Sequence, residues 1–245
     1  MKSNNMNKLI TIYSICYNEQ VMMQFFINHY RNLFPNCRIV IYDNYSTDRT
    51  EEIALANGCE VIKYDSNNEI RDDLYLEIKN NCWKDATTPY VFIGDCDEIV
   101  FITQEQLLEE QSKGVTMIDF EGWNMITMSD DEDIIDLNLE VGSRAKQYDK
   151  AFIFNKLHLT EINYSAGCHY CSPIGNIKHS ETKYLMCHFK ALGLNYMINR
   201  HTHFATRMSQ QNLAAGHAVH YLDSADTIRR NWVYYQTRPD NKKVL

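Results

Sequence analysis

Two carboxylates one residue apart, Asp95 and Asp97, directly follow the apolar run Tyr90–Gly94. A hard divalent cation takes oxygen ligands, so one carboxylate of such a pair can serve the ion and the other a ribose hydroxyl or a metal-bound water. An ion held there neutralises the charge that builds on a departing diphosphate, with no proton transfer required. Asp-x-Asp by itself is equally a solvated turn, and it gains meaning from its company. Asn18-Glu19 follows the run Leu9–Cys16, Asp43 follows Arg38–Tyr42, and Arg71-Asp72 opens a helical pattern. Asp43 could accept from the base or ribose of a nucleotide, and Glu19 from a ribose hydroxyl. Asn18 has the alternative role of helix N-cap, and Asp48 reads as a capping box with Glu51.

The elements that must bring these groups together are legible as alternating patterns. Leu9–Cys16 is short, apolar and β-branched, as a buried strand should be. A helix follows with Met22, Phe25, Phe26, His29 and Leu33 on one face, stopped by Pro35-Asn36. Arg38–Tyr42 is a second strand, and a helix from about Thr50 ends where Gly58 suits the left-handed C′ position. Cys59–Tyr64 is a third strand. Ile70, Leu74, Ile78 and Cys82, at spacing four, predict the buried stripe of the next helix, with Asp72 and Lys79 on another face. Tyr90–Gly94 is the fourth strand. Strand and helix in alternation predict a parallel sheet covered on both faces, with ligands at the edge where the strands end. Beyond residue 115 the pattern loosens. Val115–Glu121, Ala151–Phe154 and Tyr184–His188 read as strands, Ser129–Leu139 as an acidic loop or short helix, and 194–236 as a long helical region.

The chain has 245 residues, 44% of them hydrophobic, and a formal net charge of −8. A nucleic-acid partner would need a basic footprint, and none appears. An anionic nucleotide would need a bound cation to offset the protein's own acidity. The polar start, and the lack of any apolar run near the roughly 20 residues that span a bilayer, predict neither signal peptide nor transmembrane segment. Eight cysteines without a secretory signal read as reduced thiols, and so as a cytoplasmic protein. The expected organisation is one domain over 1–245, with a nucleotide-sugar-binding half at 1–114 and an acceptor-binding half at 115–245. Oligomeric state is not legible.

Three stretches, taken in order, carry a family resemblance: Ile15-Cys16-Tyr17-Asn18-Glu19, Tyr42-Asp43-Asn44-Tyr45-Ser46-Thr47-Asp48-Arg49-Thr50, and Asp95-Cys96-Asp97-Glu98. Together they resemble the family 2-like glycosyltransferases of GT-A fold, whose sheet is Rossmann-like, mixed and mostly parallel with helices on both faces. The segment Ile70-Arg71-Asp72 through Lys79-Asn80 and Trp83 resembles the branch in which a helix precedes the Asp-x-Asp strand. The resemblance implies a nucleotide-sugar donor and a glycan or other hydroxyl acceptor. It places Tyr17, Asn18, Glu19 and Asp43 around the nucleoside, and Arg71, Asp72, Lys79 and Asp95 near the donor. It puts Asp97, with Asp95, on manganese or magnesium. Gly167-Cys168-His169 and Met186-Cys187-His188-Phe189-Lys190 look like late elements of that branch, implying His188 as a further metal ligand and Lys190 beside the diphosphate. There is no Gln-x-x-Arg-Trp element, which fits single addition rather than processive synthesis.

Inversion at the sugar requires a general base. Asp119 and Glu121 share one strand face by the period-two rule, and Glu121, beside Gly122-Trp123, is the expected base, with a plain exposed strand face as the alternative. His201, His203, His217 and His220 lack a motif and read as ordinary helix residues. Competing readings are a zinc-stabilised interaction module on Cys168-x-x-Cys171 with Cys187-His188, a nucleotidyltransferase, and a catalytically inactive sugar-binding relative.

Overall fold

The computed structural model describes residues 8–245, so the polar start at 1–7 lies outside it. The first half runs β1 (Ile10–Cys16), α1 (Gln20–Leu33), β2 (Arg38–Asp43), α2 (Thr50–Ala56), β3 (Glu60–Lys63), α3 (Asp72–Asn81), β4 (Tyr90–Asp95), β5 (Glu98–Phe101) and α4 (Gln104–Ser112). The second runs β6 (Met117–Ile126), β7 (Val141–Arg144), β8 (Ile153–Asn155), β9 (Leu159–Glu161), β10 (Ile174–Gly175), β11 (His179–Ala191), α5 (Leu194–Ala205), α6 (Gln210–Ala215), α7 (Ala225–Gln236) and β12 (Lys242–Lys243).

Strands β3, β2, β1 and β4 are neighbours in that order and all parallel. Beyond β4 the sheet becomes mixed: β8 and then β6 join antiparallel, while β11 pairs parallel with β6 and antiparallel with β5. Period-two burial makes both faces apolar. Ile10, Ile12, Ile39, Ile41, Tyr90 and Phe92 enter one core with Met22, Phe26 and Tyr30 of α1. Tyr13, Val40, Val91 and Ile93 enter another, where Leu76, Cys82 and Trp83 cover them. This is the mixed α/β sheet with a parallel first half expected from the sequence. No helix among the described residues is long and apolar enough to cross a membrane, and all eight cysteines are free thiols.

Two expectations change, and one left open is decided. The stripe Ile70, Leu74, Ile78 and Cys82 is not the buried face of α3, whose buried residue is Lys79. Residues four apart advance by about 40° around a 3.6-residue helix. The four therefore part company: Ile70, before the helix, is buried beside Tyr17 and Phe204, Cys82 packs on the second core, and Leu74 and Ile78 are half-buried, whereas Asp72, Tyr75, Leu76 and Lys79 face a cleft. The helical region 194–236 is broken into α5, α6, a 3₁₀ turn at Val219–Leu222 and α7. The breaks have local causes: Ser209 and Ser224 accept from Asn212 and Thr227 backbone N–H as N-caps, and Gly216 sits at φ 70°. Ser129–Leu139 is a loop without a helix.

Gly122 controls the approach of one wall of the cleft. A Cβ there would stand 2.5 Å from the Tyr148 Cβ and 2.6 Å from its carbonyl carbon. Gly122→Ala is expected to lower stability by about 1–3 kcal/mol, the usual cost of overpacking. Thermal denaturation reads this, and an unchanged midpoint would show that the Tyr148 segment yields freely.

Candidate active site

Parallel register brings the first polar groups to one edge. Ile15 of β1 lies opposite Asp95 of β4, so Tyr17 and Asp97, each two residues further, leave the sheet side by side. On the other flank, His188 of β11 lies opposite Glu98 of β5 and Asn124 of β6. The Phe189 amide donates to the Asp97 carbonyl at 2.7 Å, pinning the Asp97 loop to β11. These ends, with α3 and α5, enclose a cleft of about 500 Å³.

At its floor the Asp97 carboxylate stands 3.7 Å from His188 Nε2. The other ring nitrogen, Nδ1, lies 2.9 Å from Asn124 Oδ1 and donates to it. That bond leaves the Nε2 lone pair directed toward Asp97, so two acceptors face each other and a cation between them is the natural complement. Oxygen and nitrogen ligands at about 2.0–2.2 Å from one ion lie roughly 3–4 Å from each other, which the observed gap matches. Arg200 adds a third polar group, 3.8 Å from Asp97 and 2.6 Å from Glu19 Oε1. Burial raises the Asp97 carboxyl, but His188 when its ring is protonated at both nitrogens, together with Arg200 and Lys190, outweighs it and holds the group well below the usual carboxylate range. Burial pushes the Glu19 carboxyl up to about 7 against the pull of Arg200.

Around this floor the charges are arranged in pairs. Lys79 Nζ holds Asp95 Oδ1 at 2.6 Å, with Lys79 the more buried partner. Lys150 pairs with Glu98, both nearly inaccessible. Asp72 accepts from Asn212 Nδ2 at 3.0 Å, and His217 lies 3.8 Å away. Tyr17 is a fixed wall: the Arg207 guanidinium lies 3.3 Å over its ring, and His203 stacks on it at 5.5 Å.

Of the residues expected from sequence, the structure gathers Tyr17, Glu19, Asp72, Lys79, Asp95, Asp97, His188 and Lys190 around the cleft. It places others elsewhere. Asp43 is fully buried under the loop after β2, paired with Lys63 and accepting from Ser46. Asn18, at φ 55°, ties that loop down through Thr47 at 2.7 and 3.1 Å. Asp48 forms no box with Glu51; it accepts from the Gln20 and Thr50 amides at 3.1 and 2.9 Å and so serves the first turns of α1 and α2. Arg71 turns to Asp73 at 2.6 Å.

The two expected bases also stand outside the cleft. Asp119 pairs with His179 at 2.7 Å, and Glu121 accepts from Trp123 Nε1 at 3.1 Å with Arg144 at 3.8 Å. Alternation along β6 explains this: Gly122 and Asn124 face Tyr148 and His188, which puts Asp119 and Glu121 on the opposite face. The Cys/His zinc pattern does not assemble, because Cys187 packs in the larger core and Cys168 and Cys171 beside the smaller one. Among the described residues no group of three or more His, Cys, Asp or Glu is placed to hold a metal. An ion between Asp97 and His188 would therefore complete its shell with ligand oxygens and water.

Sequence reasoning missed Arg200, Lys150, Tyr148 and His220, all of which line the cleft. No spacing marks them. Their one common signal is a charged or polar side chain in a segment otherwise patterned to pack.

Residues 11–121 match the family model described as Glycosyl transferase family 2. The likeness to that family is confined to this segment, somewhat under half of the chain. The matched segment supplies Tyr17, Glu19, Asp72, Lys79, Asp95 and Asp97, while His188, Lys190 and Arg200 arrive from beyond it. Solved structures with a similar trace include S. aureus TarS 1-349, at 13% identity and a TM-score of 0.46, covering 74% of this chain and 60% of that one. Glucosyl-3-phosphoglycerate synthase from Mycobacterium tuberculosis, in complex with Mn2+, UDP and glucosyl-3-phosphoglycerate, is 16% identical with a TM-score of 0.34, covering 48% and 44%. Mannosyl-3-phosphoglycerate synthase from Rubrobacter xylanophilus is 16% identical with a TM-score of 0.35, covering 48% and 40%. The chain thus spans three-fifths or less of the length of these structures. No curated protein sequence matches it.

Proposed function

We propose that this chain transfers a sugar from a nucleoside-diphosphate sugar to a hydroxyl acceptor, using Mn2+ or Mg2+ held by Asp97 and His188. The observation that carries the reading is the facing pair of acceptors, Asp97 carboxylate and His188 Nε2, at the floor of a cleft whose rim supplies Lys79, Lys190 and Arg200. A bound divalent ion would supply Lewis-acid neutralisation of the leaving diphosphate. The chain's own groups do the rest. Lys190 Nζ offers a point charge to phosphate oxygens, and Arg200 fixes the Glu19 carboxylate beside the donor. Lys79 holds Asp95 in place. With no Gln-x-x-Arg-Trp element in the sequence, single addition with inversion is the proposed course, in a cytoplasmic enzyme whose donor half is completed by residues of the acceptor half.

The test is a thermal-unfolding screen of UDP, GDP and their sugars with and without Mn2+. A nucleotide at a hundred times its dissociation constant adds about 2.7 kcal/mol to stability. Stabilisation that requires Mn2+, and that His188→Ala removes while leaving the unliganded midpoint nearly unchanged, is the expected result. No nucleotide stabilising the protein with Mn2+ present would remove the proposal.

A further inference from the structure

A second chamber of about 270 Å³ adjoins the cleft, and Tyr148, Lys190 and His220 line both. Its floor is apolar, formed by Ile126, Ala191, Met197 and Ile228, and polar groups project over it from several elements. Two features of its lining have no explanation in the fold. His201 is 5% exposed and neither ring nitrogen has a hydrogen-bond partner, although the His220 backbone lies nearby. Leaving a buried polar atom unpaired costs about 1–3 kcal/mol. Asp223 is the one carboxylate among the chamber's described lining residues. Its carboxylate accepts no hydrogen bond and has no cation at pairing distance among them. Four carboxylates of the main cleft are engaged, Glu19 by Arg200, Asp72 by Asn212, Asp95 by Lys79 and Glu98 by Lys150, and the fifth, Asp97, faces the proposed ion.

We infer that this chamber is the acceptor subsite, that it takes an uncharged sugar-sized polyol, and that Asp223 is the base that removes the proton from the attacking hydroxyl. The inference rests on the transferase reading above. A polyol presents one hydroxyl that can donate and another that can accept, and so can pair with both nitrogens of the neutral His201 ring. Burial, with Lys190 nearby, lowers His201 to about 4 and His220 to about 3, so both rings are uncharged at neutral pH. The formal charges of the chamber are then Lys190 and Asp223, which balance and give no excess for a phosphate group. An apolar floor under scattered polar groups is the usual surface for a sugar ring. Lys190 lines both the cleft that holds Asp97 and the chamber that holds Asp223, which makes the two continuous at that residue. In the step itself the acceptor O–H proton passes to an Asp223 oxygen while the acceptor oxygen forms a bond to the anomeric carbon. The anomeric C–O bond breaks, and the nucleoside diphosphate leaves with its electron pair.

Saturation-transfer NMR with methyl β-D-glucopyranoside, methyl β-D-galactopyranoside and glycerol 3-phosphate, in the presence of UDP and Mn2+, tests the chamber. At least one glycoside should contact the parent and Asp223→Asn, and lose contact in the chamber-filling variant His201→Phe. Asn231→Trp, on a half-buried position, fills the same space and serves where His201→Phe fails to fold. UDP affinity should stay within about twofold in each variant. Transfer from UDP-glucose to the bound glycoside should fall about 10²- to 10⁴-fold in Asp223→Asn, as expected for loss of a general base. Neither glycoside contacting the parent, contact surviving both filled variants, or glycerol 3-phosphate outcompeting the glycosides would overturn the chamber assignment. Transfer at the parental rate in Asp223→Asn would overturn the base. A parent that binds no nucleotide but still contacts a glycoside would remove the transferase reading and leave the chamber standing.

Discussion

Asp97→Ala is expected to abolish Mn2+-dependent sugar transfer. Its carboxylate is one of two protein groups facing the proposed ion, and among the described residues no third is preassembled to replace it. Charge stabilisation by a catalytic metal is worth several kcal/mol, so a rate loss of about 10³-fold or more follows at 1.36 kcal/mol per factor of ten. The fold should survive, because Arg200 keeps its ion pair with Glu19 and the Asp97 carbonyl still accepts from Phe189. A second readout separates catalysis from stability. The folded-state pKa of Asp97 is depressed, so the carboxylate stabilises the protein at neutral pH and that contribution is lost on acidification, from about pH 4 downward. The stability gap between parent and Asp97→Asn should therefore shrink in acid. Steady-state transfer and unfolding at two pH values check both points. Full activity in Asp97→Ala would remove the metal assignment.

Lys150→Met should lower stability by about 3–5 kcal/mol, the cost of stranding one member of a buried ion pair. The side chains of Lys150 and Glu98 are 5% and 3% exposed, so water cannot take over from the missing partner. Lys150 Nζ also lies 5.1 Å and 5.8 Å from the centroids of the Tyr148 and Phe152 rings, so the variant removes those cation–π contacts together with the ion pair while methionine fills the space. At roughly 2–4 °C per kcal/mol for a chain of this length, the melting point should fall by about 6–20 °C. Adding Glu98→Gln should restore much of the loss, since no unpaired charge then remains in the interior. Glu98 also accepts from the Asp95 amide at 3.1 Å, so the single variant should loosen the Asp-x-Asp turn as well. Calorimetry of the two single variants and the double variant gives the coupling directly. A midpoint for Lys150→Met within a degree or two of the parent would show that the pair contributes little.

The part of the cleft built by the first half of the chain was largely legible in the sequence, because its signals are local. Strand runs with both faces apolar announced a parallel sheet, and polar residues at their ends announced an edge; Glu19, Asp95 and Asp97 arrive there as expected. Asp72 and Lys79 were rightly set apart from the other residues of α3, though the stripe chosen as buried was the wrong one. Asp43 and Arg71 failed for a different reason. Each sits at the expected edge but finds a closer partner of opposite charge, Lys63 and Asp73, and sequence position carries no information on which neighbour a side chain will choose.

What the sequence determined by itself was the alternation of elements, the two-faced burial of β1, β2 and β4, and the delivery of Asp97 to the end of a buried strand. Each follows from periodicity and steric preference within a few residues. Only the tertiary structure decided that His188 faces Asp97, that Arg200 reaches Glu19, and that Glu121 is turned away from the cleft. Those outcomes depend on how β11 registers against β5 and β6, which fixes which side of each strand looks into the site. Register between distant segments is set by the packing of the whole core, and a shift of one residue would exchange the two faces.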